Sequence, residues 1–160
     1  MNSYPIRYRF SQSFGIPAEA AYRWCTDYRS DDWRRMGKKG TRRIERLNED
    51  TLILTDTVAG ESGAVTKKRL VRLNEDRLAW TNTHLAGPNK HSQFWYQIVA
   101  VGKDRSRLDF IGLQVNYGKR PSVSKASTMA KELKKGDSEM WVLLSREMSK
   151  DLRTGQTTPS

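Results

Sequence analysis

The chain opens with alternating apolar and polar side chains and continues into a short helical pattern. Ile6, Tyr8 and Phe10 are separated by polar residues, the period of two that is typical of a strand with one buried face. Segment 18–25 is rich in helix-forming residues, so we predict a helix there and a further helical turn at 31–33.

Six short apolar or alternating runs follow between Gly40 and Tyr117. Gly, Pro, Asn and Asp mark the five turns between them. These turns lie at 48–50, 60–63, 74–76, 87–89 and 102–104. A parallel crossover needs a dozen or more residues, so these short connections predict six consecutive antiparallel strands.

Segment 125–152 has apolar residues at spacings of three, four and seven, which predicts one amphipathic helix about 42 Å long. Ser124 is its predicted N-cap. Gly136 predicts a kink or close packing in the middle of the helix. We therefore expect one domain over residues 1–152 and a disordered polar tail over 153–160.

Composition narrows the classes of protein that this chain can represent. The 160 residues include 29 Lys and Arg against 18 Asp and Glu, a net charge of +11. Such a balance favours an anionic partner or simply high solubility. The one cysteine, Cys25, cannot form an internal disulfide. The chain has no apolar leader and no apolar run long enough for a membrane span, so we expect a cytoplasmic protein.

The order strand, two short helices, six antiparallel strands and a long helix resembles the START-like, Bet v 1-like (SRPBCC) helix-grip superfamily. The segment Phe10–Trp24, FSQSFGIPAEAAYRW, is similar to that family's opening strand and helix start, and the closing helix carries Trp141. The likeness covers about Tyr4–Leu152 and extends to polyketide cyclase and lipid-transfer-like members.

The resemblance implies an α+β fold in which a curved, seven-stranded antiparallel sheet wraps around the long C-terminal helix. It also implies an internal cavity that takes lipids, polyketides, quinones or hormones. Only some members of the superfamily are enzymes, and it offers no shared catalytic motif and no cofactor to carry over.

Strand parity predicts which residues line that cavity, because residues two apart share a face of a strand. The turns place Leu47 opposite Leu52 and Leu73 opposite Leu78, and the more apolar parity of the last two strands leaves Trp95 outside. With residues from the long helix, the predicted ligand-contacting set is Tyr8, Phe10, Arg43, Leu54, Asp56, Arg69, Trp80, Asn82, His84, Phe94, Tyr96, Ile111, Leu113, Met129, Leu133 and Trp141.

The polar members of this set allow two interpretations. Arg43 can pair with Asp56 while Arg69 bonds Asn82 or extends to the cavity mouth, which satisfies these groups within the protein. Alternatively, Arg69 and the nearby His84 receive the acidic head of a ligand, because a guanidinium binds carboxylate or phosphate through two hydrogen bonds.

Familiar catalytic motifs are missing from the sequence. It has no nucleophile elbow, P-loop, dinucleotide fingerprint, zinc motif or paired cysteines, so we expect neither a metal nor a cofactor. Our first hypothesis is a non-enzymatic binder or carrier of a small hydrophobic molecule, with or without an acidic group. The alternative is a cyclase, dehydratase or hydrolase that uses His84, Asp56 or Tyr96 as acid or base.

A third hypothesis rests on segment 34–46, which holds seven cations and one acid. It is either a solvated basic loop or a contact surface for an anionic membrane, RNA or the ribosome. The predicted contacts are Arg34, Arg35, Lys38, Lys39, Arg42 and Arg46. The oligomeric state is left open.

Overall fold

Seven antiparallel strands form one sheet, and a long C-terminal helix packs on it. The computed structural model describes residues 2–157, with side chains as far as Arg153. The strands are β1 (Ser3–Phe14), β2 (Gly40–Asn48), β3 (Thr51–Gly60), β4 (Gly63–Asn74), β5 (Ala79–Ala86), β6 (Gln93–Gly102) and β7 (Arg105–Tyr117), and the helices are α1 (Ala18–Thr26), α2 (Asp32–Arg35) and α3 (Val123–Thr157). This confirms the predicted α+β helix-grip architecture.

The strand order in the sheet is β1-β7-β6-β5-β4-β3-β2. Consecutive strands from β2 to β7 are therefore neighbours, as their short turns predict, while β1 returns to pair with β7. Helix α3 packs most closely on β1. The core lies between the inner face of the sheet and α1 and α3, and the opposite face of the sheet is the outer face.

The long helix differs from its prediction at both ends and in the middle. Its N-cap is Ser122 and not Ser124, because the Ser122 hydroxyl accepts a hydrogen bond from the Lys125 amide at 3.2 Å. Gly136 is exposed, and a Cβ added there would meet nothing within 4 Å, so the expectation of close packing is wrong. The helix continues to Thr157 into the predicted tail, and residues 158–160 lie outside the described part of the chain.

The pairing of β2 with β3 corrects the prediction for Arg43. Asn48 pairs with Thr51, but a bulge then places Arg46, and not Leu47, opposite Leu52. One extra residue in a strand reverses the face of every residue beyond it. Arg43 therefore lies exposed on the outer face, and its neighbour Arg42 lies inside, opposite Asp56.

The pairing of β4 with β5 is shifted by two residues from the prediction, which keeps the faces but changes the neighbours. Residues 75–77 form a 3₁₀ turn and Leu78 adopts a left-handed conformation with φ of 50°. Leu73 therefore pairs with Trp80, and Arg69 pairs with His84 instead of Asn82.

In β7 the predicted parity is wrong. Tyr96 pairs with Phe110 and Phe94 with Gly112, so the alternate residues Ile111 and Leu113 lie on the outer face. Ile111 is 52% exposed. Gly112 lies on the inner face, where the Tyr8 ring leaves no room for a side chain. A Cβ at this position would lie 2.6 Å from Tyr8 Cε1.

Candidate functional site

Aromatic rings fill the space between the sheet and α3, and Phe110 is at their centre. Its ring centroid lies 4.6 Å from that of Phe10 and 5.2 Å from that of Tyr96, with Tyr8 and Phe94 at 5.5 and 5.8 Å. Phe10, Phe110 and Tyr96 belong to one cross-strand row, so strand pairing itself stacks these rings.

A second group of rings joins the sheet to the helices. Trp80 stacks parallel to Tyr96 at 4.8 Å and meets Tyr22 of α1 edge-on at 5.9 Å. Trp141 of α3 contacts Tyr96 at 5.9 Å and Phe14 at 6.3 Å. The rings therefore occupy much of the region where the sequence predicted a cavity.

Surface concavities occur away from this aromatic interior, and two of them have a defined lining. One follows α3 along Ser145, Arg146, Ser149, Lys150 and Arg153. The other lies between the start of β1 and the start of α3 and is lined by Tyr4, Pro5, Ile6, Arg120, Pro121, Val123 and Ala126.

Beside the rings, a buried ionic cluster centres on Asp56, whose side chain is 1% exposed. Arg42 donates two hydrogen bonds to its carboxylate, from Nε at 2.7 Å and from Nη2 at 3.1 Å. Arg69 Nη2 donates a third at 2.7 Å, and Arg42 also binds Asp32. Burial raises the pKa of the Asp56 carboxyl, but Arg42 and Arg69 outweigh burial and hold it below its usual value.

The region of α2 covers this cluster. The Arg42 guanidinium lies 5.6 Å from the ring centroids of Tyr28 and Trp33, a distance at which a cation is attracted to an aromatic ring. Burial is the main cause that raises the pKa of Tyr28 to about 12. The cluster is therefore shielded from solvent on the side of α2.

The wall next to the cluster holds polar atoms that have no hydrogen-bond partner among the described residues. Three belong to inner-face residues of β4 and β5, Arg69 Nε, Asn82 Oδ1 and His84 Nδ1, and a fourth such buried atom, Trp141 Nε1, belongs to α3. Buried polar atoms are normally satisfied, because an unpaired one costs about 1–3 kcal/mol. A hydrogen bond from a bound molecule to any of these atoms would therefore remove that cost.

His84 and Lys67 set the charge of this wall. Burial, followed by the charges of Arg69 and Lys67, lowers the pKa of His84 to about 4, so its imidazole is neutral at pH 7. Burial and the charge of Arg69 also lower the pKa of Lys67. Burial is the main cause of both shifts, and the charge of Arg69 adds to it in each case.

The low pKa of His84 predicts a pH dependence of stability. Its folded pKa of about 4 lies below the ordinary histidine pKa of 6.5, so below pH 6.5 the unfolded chain binds the extra proton. The contribution of His84 to the free energy of unfolding should fall by roughly 3 kcal/mol as the pH drops from about 6.5 to about 4, and should stay level above that window.

Urea unfolding of the wild type and of His84→Gln over this range measures the effect as the difference between the two curves. Identical pH dependence of the two proteins would contradict the prediction.

Tyr8 and Asp137 join β1 to α3. The Tyr8 hydroxyl donates a hydrogen bond to the Asp137 carboxylate. Burial is the largest cause that raises the pKa of Asp137, while Tyr8 and Lys67 lower it in part. Burial, together with the Asp137 carboxylate, raises the pKa of Tyr8 far above its ordinary value. The link fastens α3 over the interior close to Lys67.

The three candidate acid or base residues have different surroundings. Asp56 is engaged by two arginines and is held ionised. Tyr96 accepts a hydrogen bond from Asn82 Nδ2 at 3.4 Å, and burial raises its pKa. His84 alone has an unpartnered nitrogen that faces the interior. As a neutral imidazole it can accept or donate a hydrogen bond, and it is a weak base.

The structure places most of the predicted lining residues on the inner face. Those on the sheet are Tyr8, Phe10, Leu54, Asp56, Arg69, Trp80, Asn82, His84, Phe94 and Tyr96. On α3, Trp141 is buried, and Met129 and Leu133 are half-buried. Arg43, Ile111 and Leu113 lie outside. The residues that sequence reasoning missed are Arg42, Lys67 and Phe110. The sequence holds one sign of Phe110's position: Gly112, two residues away on the same face of β7, has no side chain and leaves room for the Tyr8 ring.

The predicted basic surface is not continuous. Arg42 is withdrawn into the ionic cluster with its side chain 7% exposed, so its assignment to an anionic surface is wrong. Arg34 lies 3.8 Å from Asp31, Arg35 binds Asp151 at 2.8 Å, and Lys38 lies over the Trp33 ring. Lys39 and Arg46 are exposed. The segment thus makes contacts within the protein as well as with solvent.

Within residues 2–157, no group of three or more His, Cys, Asp or Glu side chains is placed to hold a metal ion. No helix in that range combines the length and apolar character needed to cross a bilayer. Burial raises the pKa of the free Cys25 thiol, which lowers its reactivity.

The fold is similar to those of several solved structures, although the sequence is not similar to any curated protein. No family model matches the chain, and no curated protein matches it in sequence. Among solved structures, the ZhuI aromatase/cyclase from Streptomyces sp. R1128 aligns with a TM-score of 0.74 and 11% identity over 95% of this chain and 98% of its own. Ara h 8.0201 aligns with a TM-score of 0.71 and 9% identity over 93% and 99%.

A START superfamily protein from Mycobacterium smegmatis aligns with a TM-score of 0.60 and 15% identity over 95% of this chain and 99% of its own. At these identities the likeness concerns the fold. The strand order, the long C-terminal helix and these alignments agree: this chain has the helix-grip fold of the START-like and Bet v 1-like proteins.

Proposed function

We propose that the protein binds a small, flat amphipathic molecule between the sheet and α3, with an anionic or strongly accepting oxygen directed at Arg69 and His84. The observation that carries this proposal is the set of unpartnered polar atoms on the interior wall. A ligand oxygen beside Arg69 Nε would satisfy that donor, and the gain is larger in the interior than in water.

The surroundings favour an oxygen acceptor over a cation. The charge of Arg69 contributes to lowering the pKa values of both His84 and Lys67, so its positive potential reaches this part of the interior although Asp56 and Asp137 lie nearby. Arg69 uses Nη2 for Asp56 and keeps Nε available. A guanidinium that is already held in place loses little freedom when it binds a ligand.

The neighbouring rings favour a flat apolar body. Phe94 lies edge-on to His84 at 5.3 Å, and Trp80 and Tyr96 present a parallel stack nearby. Aromatic walls with a few directed polar groups are the usual composition of a small-molecule site. Because rings already fill the centre, the ligand must be small or α3 must move away from the sheet. The aromatase/cyclase among the fold neighbours supports ring-containing ligands.

The cyclase-type alternative remains a prediction that ranks second. Asp56 is unavailable as a base while two arginines hold it, and the imidazole of His84 is a weak base at a pKa of about 4. A binder needs neither residue to exchange a proton.

Binding is tested with anilinonaphthalene sulfonate, an aromatic anion that fluoresces in apolar sites, and with native mass spectrometry of freshly purified protein. We expect saturable binding that Arg69→Gln weakens by at least about tenfold, because one charge-assisted hydrogen bond is lost. The matched control is Arg43→Gln, which removes the same charge from the outer face of β2 and should leave binding unchanged.

We expect Arg69→Gln to fold, because Arg42 still pairs with Asp56 in that variant. Circular dichroism checks this expectation. Equal loss of binding in the two variants would show a general charge effect and contradict the proposed site. So would the absence of any saturable binding together with the absence of a retained molecule in the mass spectrum.

A further inference from the structure

The outer face of the sheet carries an aromatic and aliphatic centre with cations on both sides. Cross-strand pairing joins Arg9 to Ile111, Ile111 to Trp95, Trp95 to Thr81 and Thr81 to Arg72. These five residues form one continuous row across β1, β7, β6, β5 and β4. Trp95 is 36% exposed and Ile111 is 52% exposed.

The next row adds aliphatic and polar residues and one further cation. Arg7 pairs with Leu113, which pairs with Gln93, and the row continues through Thr83 to Leu70. Lys68 adds another cation to the outer face of β4. We call these two rows and Lys68 the outer patch.

The cations of the outer patch are available to a partner. Arg7, Arg9, Lys68 and Arg72 are exposed, and none of them forms an ion pair with another residue of the range 2–157. Several other arginines of the chain are paired, among them Arg107, which binds Asp109 in a row beside the patch. Neither row of the patch contains an acid between β1 and β4.

The spacing of the patch fits a chain of alternating rings and negative charges. Neighbouring strands lie about 4.8 Å apart, so Arg9 and Arg72 each lie about 10 Å from Trp95, on opposite sides. A base that stacks on Trp95 would have its flanking phosphates within reach of these long side chains. Stacking aromatics between cations are the usual means of binding single strands without sequence preference.

We propose that the outer patch binds single-stranded nucleic acid, with a base stacked on Trp95 and the backbone held by Arg9 and Arg72. A membrane surface is a poorer fit. The apolar side chains lie in the middle of a sheet face, among Thr81, Thr83 and Gln93, and insertion into lipid would strip water from these polar groups. The proposed nucleic-acid surface is independent of the interior site, because it lies on the opposite face of the sheet.

The test is fluorescence anisotropy with a labelled oligouridine of about 12 nucleotides, its deoxy counterpart and the corresponding duplex. We expect both single strands to bind more tightly than the duplex. Trp95→Thr, which keeps a strand-forming residue, should weaken binding between about 5-fold and about 150-fold.

Charge is tested separately. Arg9→Gln/Arg72→Gln should reduce the slope of log K against log salt by about 0.7 for each arginine that contacts a phosphate. The matched control is Lys131→Gln/Lys134→Gln, which removes two exposed cations from α3. Its slope should lie closer to that of the wild type than the slope of the arginine double variant does.

Three results would overturn the proposal. The first is unchanged affinity in folded Trp95→Thr, and the second is an equal loss in the arginine and lysine double variants. The third is Trp95-dependent binding to phosphatidylcholine vesicles that contain phosphatidylserine, without binding to either single strand, which would make the patch a membrane surface.

Discussion

Asp56→Asn should lower the free energy of unfolding by about 3–5 kcal/mol, because it removes the one carboxylate that neutralises both Arg42 and Arg69 in the interior. Asparagine has nearly the same shape, so the loss reports charge and hydrogen bonding and not packing. The amide also presents a donor where the carboxylate presented acceptors to Arg42 Nε and Nη2 and to Arg69 Nη2.

The matched control is Asp109→Asn on the outer face. Asp109 also accepts two hydrogen bonds from one arginine, Arg107, but both side chains are about 40% exposed. A solvated pair contributes about 0–1 kcal/mol. Urea unfolding of the three proteins at pH 7 measures the contrast, and similar losses for the two variants would contradict the special position of Asp56.

Phe110→Ala should cost about 3–5 kcal/mol, because it removes the ring that touches four other rings and leaves a cavity that strand pairing prevents from collapsing. The adjacent variant Ile111→Ala deletes an aliphatic side chain on the outer face and should cost about 1 kcal/mol or less.

Chemical denaturation of these two variants also decides the register of β7. If Ile111 faced the core, as strand parity alone suggested, the order of the two losses would be reversed. The Phe110→Ala cavity offers a second readout, since an apolar cavity of this kind stays dry and takes up benzene-sized molecules. Partial recovery of stability in the presence of such a molecule would support the position of Phe110.

The sequence was sufficient for the order and type of the elements, because each depends on local signals. Alternation in β1, the turn residues from Asn48 to Asp104, and the helical spacing after Lys125 each carry their own information. The faces of β1, β4, β5 and β6 also followed from alternation alone.

The faces of β2 and β7 did not follow, because they depend on backbone irregularities that leave little trace in the pattern. Arg42 and Arg43 are identical in type, and only the bulge before Asn48 decides which of them meets Asp56. In β7, counting apolar residues favoured Ile111 and Leu113, whereas the decisive residue was Gly112, whose missing side chain makes room for Tyr8. The predicted ion pair of Arg43 with Asp56 therefore named the wrong arginine, and the contact of Arg69 with Asp56 was not predicted.

The position of β1 in the sheet has a consequence for how the chain folds. Strands β2 to β6 each pair with the strand that follows, so these hairpins close over short loops soon after their residues become available. β1 must wait for β7, since Phe14 pairs with Ser106 and Ser3 with Tyr117. During synthesis, β1 is made before the other six strands of this sheet but pairs only after β7 is complete. Until then the apolar side of β1 and, once it is made, the unpaired edge of β7 are exposed to pairing with other chains.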